Sequence, residues 1–195
     1  MRRILFSTWV AGVTALFLSA QVLAADWIVR SRLTFVAPDD SSSPKGLELD
    51  NNITLGLDIT RFFTPNFAAE IILGTTTHEV ILNGGSLGSV SLLPPTLIFQ
   101  YHFSPNATFR PYAGLGINYT KFYAKTGPLL SSLDLDDSFG LGVQVGADWM
   151  LTNRASINFD VKYANIETEV TAGGVKIADL DVNPWVIGLG VGYRF

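Results

Sequence analysis

Asn183-Pro184-Trp185-Val186-Ile187-Gly188-Leu189-Gly190-Val191-Gly192-Tyr193-Arg194-Phe195 ends the chain, and its alternation decides how the rest is read. Successive side chains of a strand point to opposite faces. Trp185, Ile187, Leu189, Val191, Tyr193 and Phe195 therefore share one apolar, aromatic-ended face, while Gly188, Gly190, Gly192 and Arg194 share the other. A small soluble barrel buries its large apolar side chains inside. Here the bulky face needs an apolar exterior and the opposite face is nearly bare, which fits the wall of a transmembrane β-barrel with alternating lipid-facing and lumen-facing residues.

The same alternation recurs upstream. It sets Trp27, Val29, Leu33 and Phe35 against Arg30, Arg32 and Thr34, then Ile53, Leu55, Leu57 and Ile59 against Thr54, Gly56, Asp58 and Thr60. Further segments start near Phe67, Thr96, Ala113, Phe139 and Ile157, which brings the number of strands to eight with the last. Proline cannot donate to a ladder, so Pro94-Pro95 should mark where the fourth strand begins. Connections alternate long and short: the turns at Thr64-Pro65-Asn66, Ser104-Pro105-Asn106 and Thr152-Asn153-Arg154 are brief, and the intervening stretches are long and rich in Gly, Ser and Asp. Bacterial outer-membrane barrels have an even strand number, short periplasmic turns and long external loops. The expected fold is all-β: an eight-stranded antiparallel up-and-down transmembrane β-barrel with both termini periplasmic.

Arg2-Arg3 followed by an apolar run from Ile4 and by Val22-Leu23-Ala24 has the form of a cleavable signal peptide. The chain of 195 residues then divides into a signal peptide over 1–24 and one barrel domain over 25–195. No later stretch reaches the roughly 18 consecutive apolar residues of a membrane-crossing helix. Of 13 basic residues two fall in the leader, and against 17 acidic ones this leaves a mature net charge of −6, which argues against nucleic acid as a partner. Cysteine is absent, so disulfides and thiolate metal sites are excluded.

Three stretches, Leu93-Pro94-Pro95-Thr96-Leu97, Arg110-Pro111-Tyr112-Ala113-Gly114-Leu115-Gly116-Ile117-Asn118-Tyr119, and Pro184-Trp185-Val186 running to Gly192-Tyr193-Arg194-Phe195, resemble the OmpW family of small outer-membrane proteins. The resemblance covers the whole mature chain. It implies an eight-stranded barrel in the Gram-negative outer membrane and, for a family that includes alkane-uptake proteins, passage of small hydrophobic compounds. Some relatives place a bulky aromatic, proposed to close the lumen with an aliphatic partner, where this chain has Lys162; the partner position matches Ile72.

The inward positions carry opposite charges toward the short-turn end: Arg30, Arg32, Lys162 and Arg194 with Asp58, Glu70, Asp148 and Asp160. Charges removed from water must be paired, so these eight are expected to form a plug. Above them Ile72, Ile98, Phe122 and Val186 are expected to line an apolar lumen of the kind that takes small molecules. Ten inward glycines keep space either for that ligand or for the long basic side chains. His102-x-Ser104 has a spacing usable for hydrolysis, but the chain offers no matching set at outer-leaflet level. Asp134, Asp136 and Asp137 lack the spacing of a calcium loop, and His78 reads as a solvated residue near an external loop. The expectation is a non-enzymatic conduit without cofactor or metal. Its partners would be outer-membrane lipid and small hydrophobic ligands entering from the external end, with release sideways into the membrane; self-association stays open. The alternative is a structural or surface-interaction barrel with a filled lumen.

Overall fold

The computed structural model describes residues 27–39, 45–127 and 129–195; the proposed signal peptide lies outside them. Eight long strands close on themselves. In chain order these are β1 (Trp27–Ala37), β3 (Asn52–Phe62), β4 (Phe67–Gly74), β7 (Thr96–His102), β8 (Phe109–Thr126), β10 (Ser138–Met150), β11 (Ala155–Ala164) and β14 (Trp185–Arg194). Each pairs antiparallel with its neighbours in sequence, and β14 returns to β1. Closure leaves none of these eight strands at a sheet edge, as a chain crossing lipid requires.

The alternation of the sequence holds on every barrel strand. Leu55, Leu57, Leu115, Leu141, Leu189 and Val191 are exposed on the outer wall, whereas Arg30, Glu70, Gln100, Asn158 and Asp160 are fully or almost fully buried inside. Aromatic rings gather on the outer wall at both rims. Phe67, Tyr101 and Phe103 form an edge-to-face chain at the short-turn end, joined around that rim by the pairs Phe109–Trp149 and Tyr193–Phe195. Tyr163 meets Trp185 at the opposite rim.

The long connections contain more structure than their composition suggests. The second is a β-hairpin, β5 (Thr76–Leu82) and β6 (Gly85–Leu93), turning at Asn83-Gly84, and the fourth is another, β12 (Glu167–Ala172) and β13 (Val175–Asp181), turning at Gly173-Gly174. The first contributes the short β2 (Leu47–Leu49), which pairs with β5; the third contributes a 3-10 turn (Leu130–Ser132) and β9 (Asp134–Leu135), which pairs with β12. Together they bury an apolar cluster over the mouth of the barrel that includes Leu47, Val80, Val90, Leu92, Phe122, Leu130, Ile166, Val170 and Leu180. At the rim of this cap, hydrogen bonds to Asp179 and Glu169 hold the Lys176 ammonium above its ordinary range.

Candidate functional site

Cross-strand register brings the inner charges together and explains many of the glycines. Arg30 sits opposite Asp58 on β3 and Gly192 on β14; Arg32 sits between Gly56 and Gly190; Asp160 sits between Gly146 and Gly188. A Cβ on Gly190 would fall 2.6 Å from Arg32 Cγ and 2.4 Å from the Ser31 carbonyl. Bare positions on β14 are therefore where the arginine stems lie.

The result is one continuous network. Arg30 donates twice to Asp148, Nε to Oδ1 at 3.2 Å and Nη2 to Oδ2 at 2.7 Å, and its Nη1 reaches Asp58, Glu70 and Thr60 at 3.3, 3.2 and 2.6 Å. Arg32 spans three carboxylates, Asp58 at 3.0 Å, Glu70 at 2.8 Å and Asp160 at 2.6 Å. Lys162 Nζ completes the upper side on Asp160 Oδ1 at 2.5 Å. Neutral groups extend the network: Gln100 donates to both Glu70 and Gln144, and Asn158 donates to both Asp148 and Tyr112, while Gln144 Nε2 and Asn158 Oδ1 have no hydrogen-bond partner among the described residues. Seven of the eight expected plug residues thus meet. The eighth, Arg194, lies opposite Ile28, one inward step below Arg30, with its guanidinium 5.0 Å over the Phe62 ring.

Above the network lies an apolar cavity of about 110 Å³ whose walls include Ile72, Ile98 and Val186, with Gly56, Gly74 and Gly142 among them. A Cβ on Gly142 would stand 3.5 Å from the nearest atom, so these glycines leave space of a different kind from those beside the arginines. Phe122 faces inward as expected but belongs to the cap cluster, four residues beyond Asn118, which does line the cavity. At the strand rise of about 3.3 Å per residue that is ~13 Å further out. Leu92, Ile166 and Val182 belong to both cap and cavity wall, so the cap is the lid of the lumen.

His78 corrects the expectation of a solvated side chain. It is fully buried, lines the cavity, and is bonded through Nδ1 to the Asp50 carbonyl at 2.6 Å and through Nε2 to Thr76 Oγ1 at 3.1 Å. Its even-numbered place continues the inward row Glu70, Ile72, Gly74 and Thr76, and that parity was the available signal. Tyr112 was missed for the same reason: its hydroxyl accepts from Asn158 and its ring flanks His102 at 4.9 Å. His102 itself is buried and bonded to Gln100 Oε1 at 3.1 Å, while Ser104 is exposed on the adjoining turn. In the third connection Asp134 pairs with Lys125, and Asp137 accepts from the Tyr119 hydroxyl.

The barrel wall is interrupted beside the cavity. β4 pairs with β7 up to Ile72↔Thr96, and β5 pairs with β6 from Thr76↔Leu92. Leu73–Thr75 face Leu93–Pro95 between these ladders, and Pro94 and Pro95 have no amide hydrogen to give. Next to the gap, the lipid side carries an open groove of about 210 Å³ between Ile71, Pro95, Leu97, Ile117, Tyr119 and Phe139. Thr96 lines both the groove and the cavity.

Comparison with known proteins places this architecture. The OmpW family profile matches residues 24–195. The chain belongs to the OmpW family. It is 41% identical to Outer membrane protein W of Vibrio cholerae over 94% of this chain and 96% of that one. It is 31% identical to Outer membrane protein AlkL of Ectopseudomonas oleovorans over 76% and 69% of the two chains. Among solved structures, OprG of Pseudomonas aeruginosa superposes with a TM-score of 0.79 at 35% identity, covering 88% of this chain and 96% of that one. The structure of AlkL in lipid bilayers gives 0.68 at 28% identity, covering 88% and 90%. The OmpW-family chain described here is accordingly an outer-membrane β-barrel in a lipid environment.

Proposed function

We propose that this OmpW-family barrel is a passive, non-enzymatic conduit for small hydrophobic molecules, with its long connections outside the cell and both chain ends in the periplasm. Ligand enters through the external cap, occupies the cavity above the Lys162–Asp160 pair, and leaves sideways into the membrane between β4 and β7. The ion network below closes the straight route to the periplasm, because an apolar molecule there would have to displace paired, buried charges. The observation that carries the reading is Thr96, the last paired residue before the two prolines that interrupt the ladder, which lines both the lumen cavity and the lipid-side groove. The uptake role implied by the resemblance to alkane-uptake relatives points the same way. A cavity of about 110 Å³ is smaller than the ~150 Å³ that holds a benzene ring and suits a linear alkyl segment.

The chain has no cysteine, so the proposed exit can be locked cleanly. In a Gly74→Cys, Pro94→Cys variant, oxidation should slow accumulation of labelled octane by cells with an intact lipopolysaccharide leaflet, and reduction should restore it. Unchanged uptake in the cross-linked protein would refute the lateral route. Loss of uptake in Gly142→Leu, which fills the cavity, separates a conduit from a barrel acting only through its surface loops.

A further inference from the structure

We infer that the external cap holds a second apolar ligand site, in series with the lumen cavity and sized for a single aromatic ring or a short branched alkyl group. The inference rests on the proposed orientation and extends the proposed route outward by one station. All four long connections build the site: Leu47 from β2, Val80 from β5, Leu130 from the 3-10 turn, Val170 from β12 and Leu180 from β13 are among the walls of a cavity of about 160 Å³. Every lining side chain is aliphatic. An apolar cavity of ~150 Å³ lined in this way stays dry and binds benzene, because water there would have no polar partners.

Two further observations favour a ligand over a mere packing defect. Ile177 lines the cavity yet is 52% exposed, and Val175 beside it on the same hairpin is 66% exposed, so the cavity has an apolar lip turned to water. Leu47, Val80, Leu130, Val170 and Leu180 of its wall belong to the same buried cluster as Leu92, Ile166 and Val182, which line the lumen cavity on the other side. A molecule lodged in the cap is therefore one layer of aliphatic side chains from the inner cavity. A dilute hydrophobic compound would be captured first in the cap; a linear alkyl chain would pass inward when that layer parts, whereas a ring admitted by the larger outer volume would be held back by the inner one, at about 110 Å³.

The test is a benzene titration of protein carrying ¹³C-labelled Leu, Val and Ile methyls, embedded in lipid nanodiscs and read by methyl NMR. The methyls of Leu130, Val170 and Leu180 should shift and saturate, whereas lipid-facing methyls such as those of Leu55 and Leu141 should drift linearly as benzene partitions into the bilayer. Ala178→Phe, which places a ring in the cap cavity, should abolish the saturating shifts while leaving the Ile72 and Val186 methyls in place. Should that variant lose its folded spectrum, Leu130→Ala supplies the complementary readout, since enlarging the cavity should let p-xylene produce the saturating shifts. Cap methyls that move only linearly in the wild type, or that still saturate in folded Ala178→Phe, would overturn the outer site. Octane uptake measured alongside reports separately on the lateral conduit, which stands or falls without it.

Discussion

Replacing Arg30 by methionine tests whether the network is held by the balance of its charges. The side chain is fully buried and makes five hydrogen bonds, four of them to Asp58, Glu70 and Asp148. At ~1.5–3 kcal/mol for each charged bond the four would sum to ~6–12 kcal/mol, comparable with the whole stability of ~5–15 kcal/mol of a folded domain. Such a sum overcounts, since the stranded carboxylates can take up protons or water. Removing one partner of a buried ion pair costs ~3–5 kcal/mol, and that is the expected loss. Arg32 still engages Asp58 and Glu70, so the carboxylate left most exposed to the change is Asp148, whose remaining bond is from Asn158 at 2.9 Å. Adding Asp148→Asn to Arg30→Met should therefore recover part of the loss. Urea unfolding in lipid vesicles, followed by tryptophan fluorescence, measures all three proteins. A change below ~1 kcal/mol in Arg30→Met, or a double variant less stable than the single, would show that the inner charges are not a mutually dependent set.

The wild-type barrel should pass little steady ion current in planar bilayers, and Arg30→Ala with Glu70→Ala should pass more; a large ohmic wild-type conductance would sink the closed lower lumen and the need for a side exit. Gly190→Ala, whose Cβ would meet the Ser31 carbonyl at 2.4 Å, should destabilise the barrel by ~1–3 kcal/mol through overpacking, while Gly142→Ala should be near neutral by the same unfolding assay. Lipids brominated near the headgroup should quench single-tryptophan proteins retaining Trp27, Trp149 or Trp185 far better than lipids brominated at the chain ends, because interfacial rings settle at headgroup level; the reverse order would mean that the rims are misplaced.

Facing was legible in the sequence and height was not. A period of two needs only neighbouring residues, so the outward row of β14 and the inward charges could be assigned one strand at a time. Depth depends on how far a strand continues beyond the lipid, and β8 runs from Phe109 to Thr126 with its alternation unbroken from Leu115 through Tyr123. Phe122 was thus assigned the correct side and the wrong level. The cap escaped for a related reason: β5, β6, β12 and β13 are flanked by Gly, Ser, Asn and Asp, the composition of loops, although Val80, Val90, Val170 and Leu180 share one buried layer. Those residues find each other only across two separate connections, and no local period encodes such an encounter.

Lys162 shows how one residue serves both halves of the lumen. Its stem belongs to the wall of the apolar cavity, and its ammonium is drawn down to Asp160. A long aliphatic side chain with a charged tip can do this because the two ends are solvated differently, whereas an aromatic at the same place would offer an apolar surface alone. The register sets this up: Lys162 stands between Val186 on β14 and Gln144 on β10, at the level where polar partners give way to Ile72 and Ile98. An apolar floor closed by contact with Ile72 would part when a ligand competes for the same surface. A floor anchored by an ion pair would resist that competition; on the proposed route the cavity would then fill and empty without opening the network beneath it, and the wall beside Pro94-Pro95 would be the yielding side.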